Sequence, residues 1–377
     1  MSERPAQHGA YGIPRQPLLA LFLRFLRFGA LAWGGPVAQI AMVKRELVDE
    51  ERWIEPERFN RAYAVYQLLP GPEAHELCVY FGTLARGRIG GVLAGLGFML
   101  PGFVLMFALS WVYVTYGIAT PQLAPVFAGV QAAVLALIVR AVHRIAGHAL
   151  HDKRLVAIAL LAGGATLAGT HFAGVLLLAG LAYHALARQR RALLVILSLV
   201  AAAVVASSLT NLLGAIPESA DPTRPAPLAP SHSALFGAGL RTGLLTFGGA
   251  YTAIPFLLHD SVELGGWLTR EQFLDGVALG GVLPAPLIIF ATFVGYLAGG
   301  PLGALALTAG VFLPAFGITL IGHEHLERLM NHSALQHALA GVTAGVVGLI
   351  GATTLLLAPD CVRDLPTAAI FAASLFA

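Results

Sequence analysis

The sequence predicts an all-α integral membrane protein of two homologous repeats in inverted topology, with Gly/Pro-broken half-helices and about 10–13 membrane segments. Three observations carry that expectation. Hydrophobic residues make up 57% of the chain and charged residues 11%, under half the roughly 25% charge of a soluble domain. Several apolar runs are long enough to cross a bilayer, and mean hydropathy is +0.76. Third, one block of text is written twice. A shift of 214 residues lays Arg27 on Arg241, Gly34-Gly35 on Gly248-Gly249, Trp53 on Trp267, Pro70 on Pro284 and Pro72 on Pro286. A shift of 213 then pairs Gly82 with Gly295 and Pro101 with Pro314, and one of 212 pairs Gly129 with Gly341.

Taken in order, residues 1–17 form a polar cytoplasmic tail without the layout of a cleavable signal. The first repeat spans 18–213. Its run 18–43 is broken at Gly34-Gly35-Pro36, a charged loop covers 44–61, and 62–85 is broken at Pro70-Gly71-Pro72. Spans follow at 89–117, 122–142, 155–170, 172–187 and 192–213, with a basic loop at 140–154. Residues 214–233, rich in Pro, Ala and Ser, link the halves. The second repeat, 234–377, runs through 234–258, 272–298, 302–321 and 334–357 to a short apolar tail.

Lys and Arg gather at 44–61, 86–88, 140–154 and 188–191, which places those loops in the cytoplasm. The matching loops of the second repeat hold Arg270 at 259–271, Arg363 at 352–364 and no charge at 299–301. Opposite charge bias in matched loops is the mark of inversion. It requires the broken segments ahead of Ile89 to make no net crossing, as half-helix hairpins do. The net charge of +3 is small and confined to loops, so it speaks to topology and not to nucleic acid. Cys78 and Cys361 stand at unmatched places and suggest neither a disulfide nor a metal site. No cofactor is expected, and a homodimer is the base-rate oligomer.

A Gly-Gly or Pro-Gly-Pro break opens the helical ladder, which survives at membrane depth only beside protein or a wet cavity. Helices restarting there aim free N–H groups and a positive dipole end at the cavity, which suits an anion. The candidate binding residues are therefore Arg27, Gly34, Gly35, Pro70, Gly71 and Pro72, with Arg241, Gly248, Gly249, Pro284, Ala285 and Pro286. Simple kinks and close-packing glycines are the plainer reading. An Arg inside an apolar run costs at least about 2.5 kcal/mol. The matched pair Arg27 and Arg241 reads as two guanidinium forks on a tetrahedral oxyanion, snorkelling to the interface being the alternative. Glu73, His75 and Glu76 follow the first proline break and are candidates for proton coupling. Glu46 and Asp260 are a matched acidic pair of structural character. His323-Glu324-His325 reads as a solvated loop, since successive residues do not share a helix face.

These residues resemble the two domains of long-chain chromate ion transporters. The likeness rests on Gly34-Gly35-Pro36-Val37-Ala38-Gln39-Ile40-Ala41, Arg45-Glu46-Leu47-Val48 and Leu69-Pro70-Gly71-Pro72-Glu73-Ala74. In the second half it rests on Leu245-Thr246-Phe247-Gly248-Gly249-Ala250-Tyr251, Gly266-Trp267-Leu268-Thr269 and Phe293-Val294-Gly295-Tyr296. It departs at Ala285, where such families have Gly, at His75-Glu76, where glutamines are usual, and in an early end at Ala377. The resemblance implies a bacterial inner-membrane secondary transporter that expels chromate. A sulfate carrier is the nearest alternative, then an anion channel. A membrane-embedded enzyme is disfavoured, because no nucleophile–base pair falls within the spans.

Overall fold

A chain this apolar must satisfy its backbone internally in a bilayer, and helix is the way a single segment does so. The computed structural model describes residues 11–67, 69–116, 124–190, 198, 201, 229–247, 249–330 and 332–376, without the side chains of 124 and 323–330. Gly248, the span expected at 192–213 apart from 198 and 201, and positions 214–228 of the expected linker lie outside the described residues. Within them the elements are helices, with an isolated bridge between Pro70 and Phe247.

Helix α1 (Leu18–Ala30) ends before a turn through Gly34, whose φ of 87° lies in the left-handed region that glycine enters without penalty. Helix α2 (Gly35–Lys44) restarts there with Pro36 in its first turn, where the missing N–H costs nothing. It widens into a π-helical segment, Arg45–Glu50. Helix α3 (Pro56–Tyr66) leads into the Pro70-Gly71-Pro72 break, after which α4 (Glu73–Tyr116) begins. Then come α5 (Ala124–Ala149), α6 (Lys153–Leu167) and α7 (Phe172–Ala187).

Helix α8 (His232–Leu245) ends before Thr246 and Phe247; beyond Gly249 come a 3-10 turn (Ala250–Thr252), α9 (Ala253–Leu258) and a second π-helical segment, His259–Leu264. The two π-helical segments start 214 positions apart. Helix α10 (Arg270–Val282) opens on a capping box between Thr269 and Gln272 and stops at Pro284. A 3-10 turn (Leu287–Ile289) leads into α11 (Phe290–Met330), then α12 (Ser333–Cys361) and α13 (Leu365–Phe376).

Helices α4 and α11 are not straight rods. Each folds back on itself at a two-residue kink with nearly the same torsions. Arg86 (φ −144°, ψ 30°) and Gly87 (63°, −159°) make the first; Gly299 (−148°, 22°) and Gly300 (65°, −158°) make the second. The arms then close on glycine. A Cβ on Gly82 would stand 2.4 Å from the Gly90 carbonyl oxygen, and one on Gly295 2.4 Å from that of Gly303. The first arm of α4 therefore has about 13 residues and reaches roughly 20 Å, short of the roughly 30 Å hydrocarbon core.

Around these hairpins α1 packs on α4, α8 on α11, and α4 on α11. Outside them α5 packs on α13, and α6 on α12. Phe25, Phe28, Phe81 and Phe98 fill the first core; Phe273, Phe290, Phe293 and Phe312 fill the second. Among the described residues four helices are long and apolar enough to cross a membrane. Leu160, Leu161, Leu177 and Ile321 stay more than 60% exposed, as suits side chains facing acyl chains. The chain is an all-helical membrane protein.

Two expected loops are helical instead. The stretch 44–61 is largely the π-helical segment and α3, and α5 runs to Ala149 through most of the basic stretch at 140–154. Charge marked these as loops, but 140–149 holds no proline, and a single glycine, Gly147, does not stop a helix. The backbone at 323–325 likewise belongs to α11.

Candidate functional site

The breaks converge on one another. The Gly71 N–H donates to the Thr246 carbonyl at 2.8 Å, beside the Pro70–Phe247 bridge, so the break after α3 is stitched to the break after α8. Gln39 Nε2 donates to the Ala32 carbonyl at 3.0 Å and closes the α1–α2 turn. Next to these junctions lies a cavity of about 660 Å³. Three restarting segments border it: Pro36 and Val37 at the start of α2, Glu73 at the start of α4, and Gly249 with Tyr251 ahead of α9. Tyr63 and Gln67 come from α3 and its end, Ala340 and Thr343 from α12. The remaining wall is one face of α5, with Arg144 and His148 at i and i+4, and His151 from the connection that follows it.

The cavity thus takes Pro36, Glu73 and Gly249 from the breaks, and it does not take Arg27 or Arg241. Arg27 Nη2 donates to Glu46 Oε1. Arg241 reaches Asp260 Oδ2 with Nη2 at 2.6 Å and Nε at 3.1 Å. Each arginine holds the acid 19 positions ahead, at the second position of a π-helical segment. Arg24 joins the first pair through Glu51 at 2.5 Å, with Trp53 Nε1 donating to the other Glu51 oxygen at 2.8 Å. The fourth break is packed shut: Ala285 is buried, and a Cβ on Gly102 would meet its Cβ at 2.2 Å.

Behind Glu73 sit two fully buried polar side chains. His75 lies between the rings of Phe312 and Phe316, centroids 5.1 and 4.7 Å away. The Glu76 carboxylate has no hydrogen-bond partner among the described residues and lies under Gly71, where a Cβ would come within 2.8 Å of Oε1. Buried groups left unsatisfied are costly.

The lining residues Tyr63, Gln67, Arg144, His148, Tyr251 and Thr343 escaped the sequence reading. The i, i+4 spacing of Arg144 and His148 was the available signal, and it is a signal only once that stretch is known to be helical.

The chromate transporter family model matches residues 19–204 and 233–377, nearly the whole chain. The chain belongs to the chromate transporter family. It is 55% identical over 359 residues to the chromate transport protein of Pseudomonas aeruginosa, covering 94% of this chain and 85% of that protein. It is 31% identical over 364 residues to the chromate transport protein of Cupriavidus metallidurans, covering 94% and 86%. A probable chromate transport protein of Synechococcus elongatus is 30% identical over 365 residues, covering 94% and 88%. No solved structure matches the chain. The family's named members are transport proteins, so this is a transporter and not an enzyme.

Proposed function

We propose that this family member exports chromate across a bacterial inner membrane as a secondary-active carrier, alternating access between two inverted repeats, 18–213 and 234–377. The observation that carries the reading is the cavity, bordered by restarting segments of both halves. Helix starts at Gly35 and Glu73 offer N–H groups there, and Arg144 adds full positive charge, a combination suited to a tetrahedral dianion. The duplication is supported by the matched π-helical segments, the matched kink torsions and the reciprocal packing of α5 on α13 and α6 on α12. Inversion is supported by the opposite Lys/Arg bias of the matched segments 44–61 and 259–271.

In this reading Pro36, Glu73 and Gly249 border the oxyanion, and Gly34, Gly35, Pro70, Gly71 and Pro72 shape the turns that bring those segments to the cavity. Pro284, Ala285 and Pro286 close the corresponding place in the second half. Arg27 and Arg241 anchor the π-helical segments through Glu46 and Asp260. Glu73, His75 and Glu76 are the groups through which protons would couple. Expelling a dianion from an inside-negative cell gains about 4.6 kcal/mol per 100 mV, at about 2.3 per charge. The membrane potential alone can therefore drive export.

Uptake into inverted membrane vesicles tests this. Chromate accumulation that follows the potential, saturates and exceeds sulfate accumulation is expected. Equal or greater sulfate uptake would make the chain a sulfate carrier, and non-saturating flux would make it a channel. Unchanged flux on collapse of the pH gradient would remove the proton role.

A further inference from the structure

We infer that Arg144 is the cation that receives the oxyanion, and that Glu73 is its resident counter-anion, which the substrate displaces. This rests on the cavity being the oxyanion site and assigns a role to the charges within it. Most arginines of the helical body are engaged. Arg24, Arg27, Arg241 and Arg270 are ion-paired, while Arg140 and Arg154 donate to backbone carbonyls. The Arg144 guanidinium makes no hydrogen bond or ion pair among the described residues and opens onto the cavity. A free guanidinium fork on a cavity wall is the group best shaped to hold two oxygens of a tetrahedral anion.

Glu73 is the cavity's carboxylate, against Arg144, His148 and His151 as its cation-forming side chains. Tyr63 lines the same cavity from α3, and Tyr251 lines it from the second half. A carboxylate facing an anion site repels the substrate unless it serves the site when empty. Tethered at the first position of α4 on the wall of the cavity that Arg144 also lines, Glu73 neutralises the guanidinium between transport events. An arriving dianion, doubly charged, outcompetes it. The positions matched to Arg144 and Glu73 in the second half are Leu356 and Leu287, so the exchange belongs to one half alone. One oxyanion per chain follows.

Equilibrium binding to the purified full chain in lipid nanodiscs, titrated with chromate and separately with sulfate, decides it. Arg144→Gln is expected to weaken oxyanion binding at least about tenfold, the scale of one charge-assisted contact. Glu73→Gln is expected to tighten binding several-fold in the wild-type background and to change nothing when Arg144→Gln is also present. An unchanged melting temperature for each variant guards against misfolding, and Arg144→Lys gives a second reading by keeping charge without the fork, with intermediate affinity expected. Wild-type affinity in Arg144→Gln, or weaker binding in Glu73→Gln, would overturn the inference while leaving the cavity reading intact. If the wild-type chain binds neither oxyanion, the cavity reading fails and takes this inference with it.

Discussion

Asp260 is almost completely buried, with two nitrogens of Arg241 on one carboxylate oxygen and no partner on the other. Its sequence counterpart Glu46 keeps 19% of its side chain exposed and is met by both Arg27 and Arg24. Removing Arg241 therefore strands a buried charge, whereas removing Arg27 leaves Glu46 near water and near a second cation. Arg241→Gln is expected to cost about 2–4 kcal/mol, the range for breaking a buried pair reduced for the arginine's partial exposure. Arg27→Gln is expected to cost about 1 kcal/mol or less. Adding Asp260→Asn should recover most of the loss at Arg241, because no charge then stays behind. Thermal unfolding in detergent measures all three, and a larger loss at Arg27 than at Arg241 would contradict the assignment. The pairing of these residues was half legible in the sequence. Their matched spacing showed that they belong together, but an arginine in an apolar run reads equally as ligand or as anchor until its acid is located.

At the scale of elements, the hairpins of α4 and α11 set where the breaks sit. Two glycines of α4 separate the causes of that shape. Gly87 needs its φ of 63°, yet a Cβ there meets nothing within 4 Å, so Gly87→Ala tests torsion alone and should cost about 1–2 kcal/mol. At Gly82 the torsion is ordinary but the Gly90 carbonyl is in the way. Gly82→Ala should force the arms apart, cost about 1–3 kcal/mol and lower transport by displacing Glu73. Chemical denaturation and vesicle uptake of the two variants separate these effects; equal transport by both would show that hairpin closure does not position the site. The glycines and prolines were visible in the sequence as repeated breaks. That the chain doubles back at 86–87 was not, because a kink of two residues leaves the hydrophobic period of each arm unchanged.

For the whole molecule, the proposed inversion makes a side-specific prediction. Glu50 and Leu264 occupy matched positions at the ends of the two π-helical segments, and both are exposed. Cys78 and Cys361 are buried, so the native background is quiet toward an impermeant thiol reagent. Glu50→Cys is expected to label from the cytoplasmic face and Leu264→Cys from the opposite face, in right-side-out and inverted vesicles compared. Labelling of both from one side would end the inverted arrangement.

By itself the sequence determined the membrane setting, the helical class and the positions of the breaks. Those follow from local causes: hydropathy along the chain, and the torsional and hydrogen-bonding limits of glycine and proline. Which charges meet in space was decided by tertiary structure. Arg27, Arg144 and Arg241 are alike as residues beside apolar runs. Only the folding of α5 alongside the junction of the two halves left Arg144 facing a cavity, while Arg27 and Arg241 closed on carboxylates brought to them by π-helical segments. Electrostatic pairing depends on distances between residues far apart in the chain, and a one-dimensional pattern does not contain them.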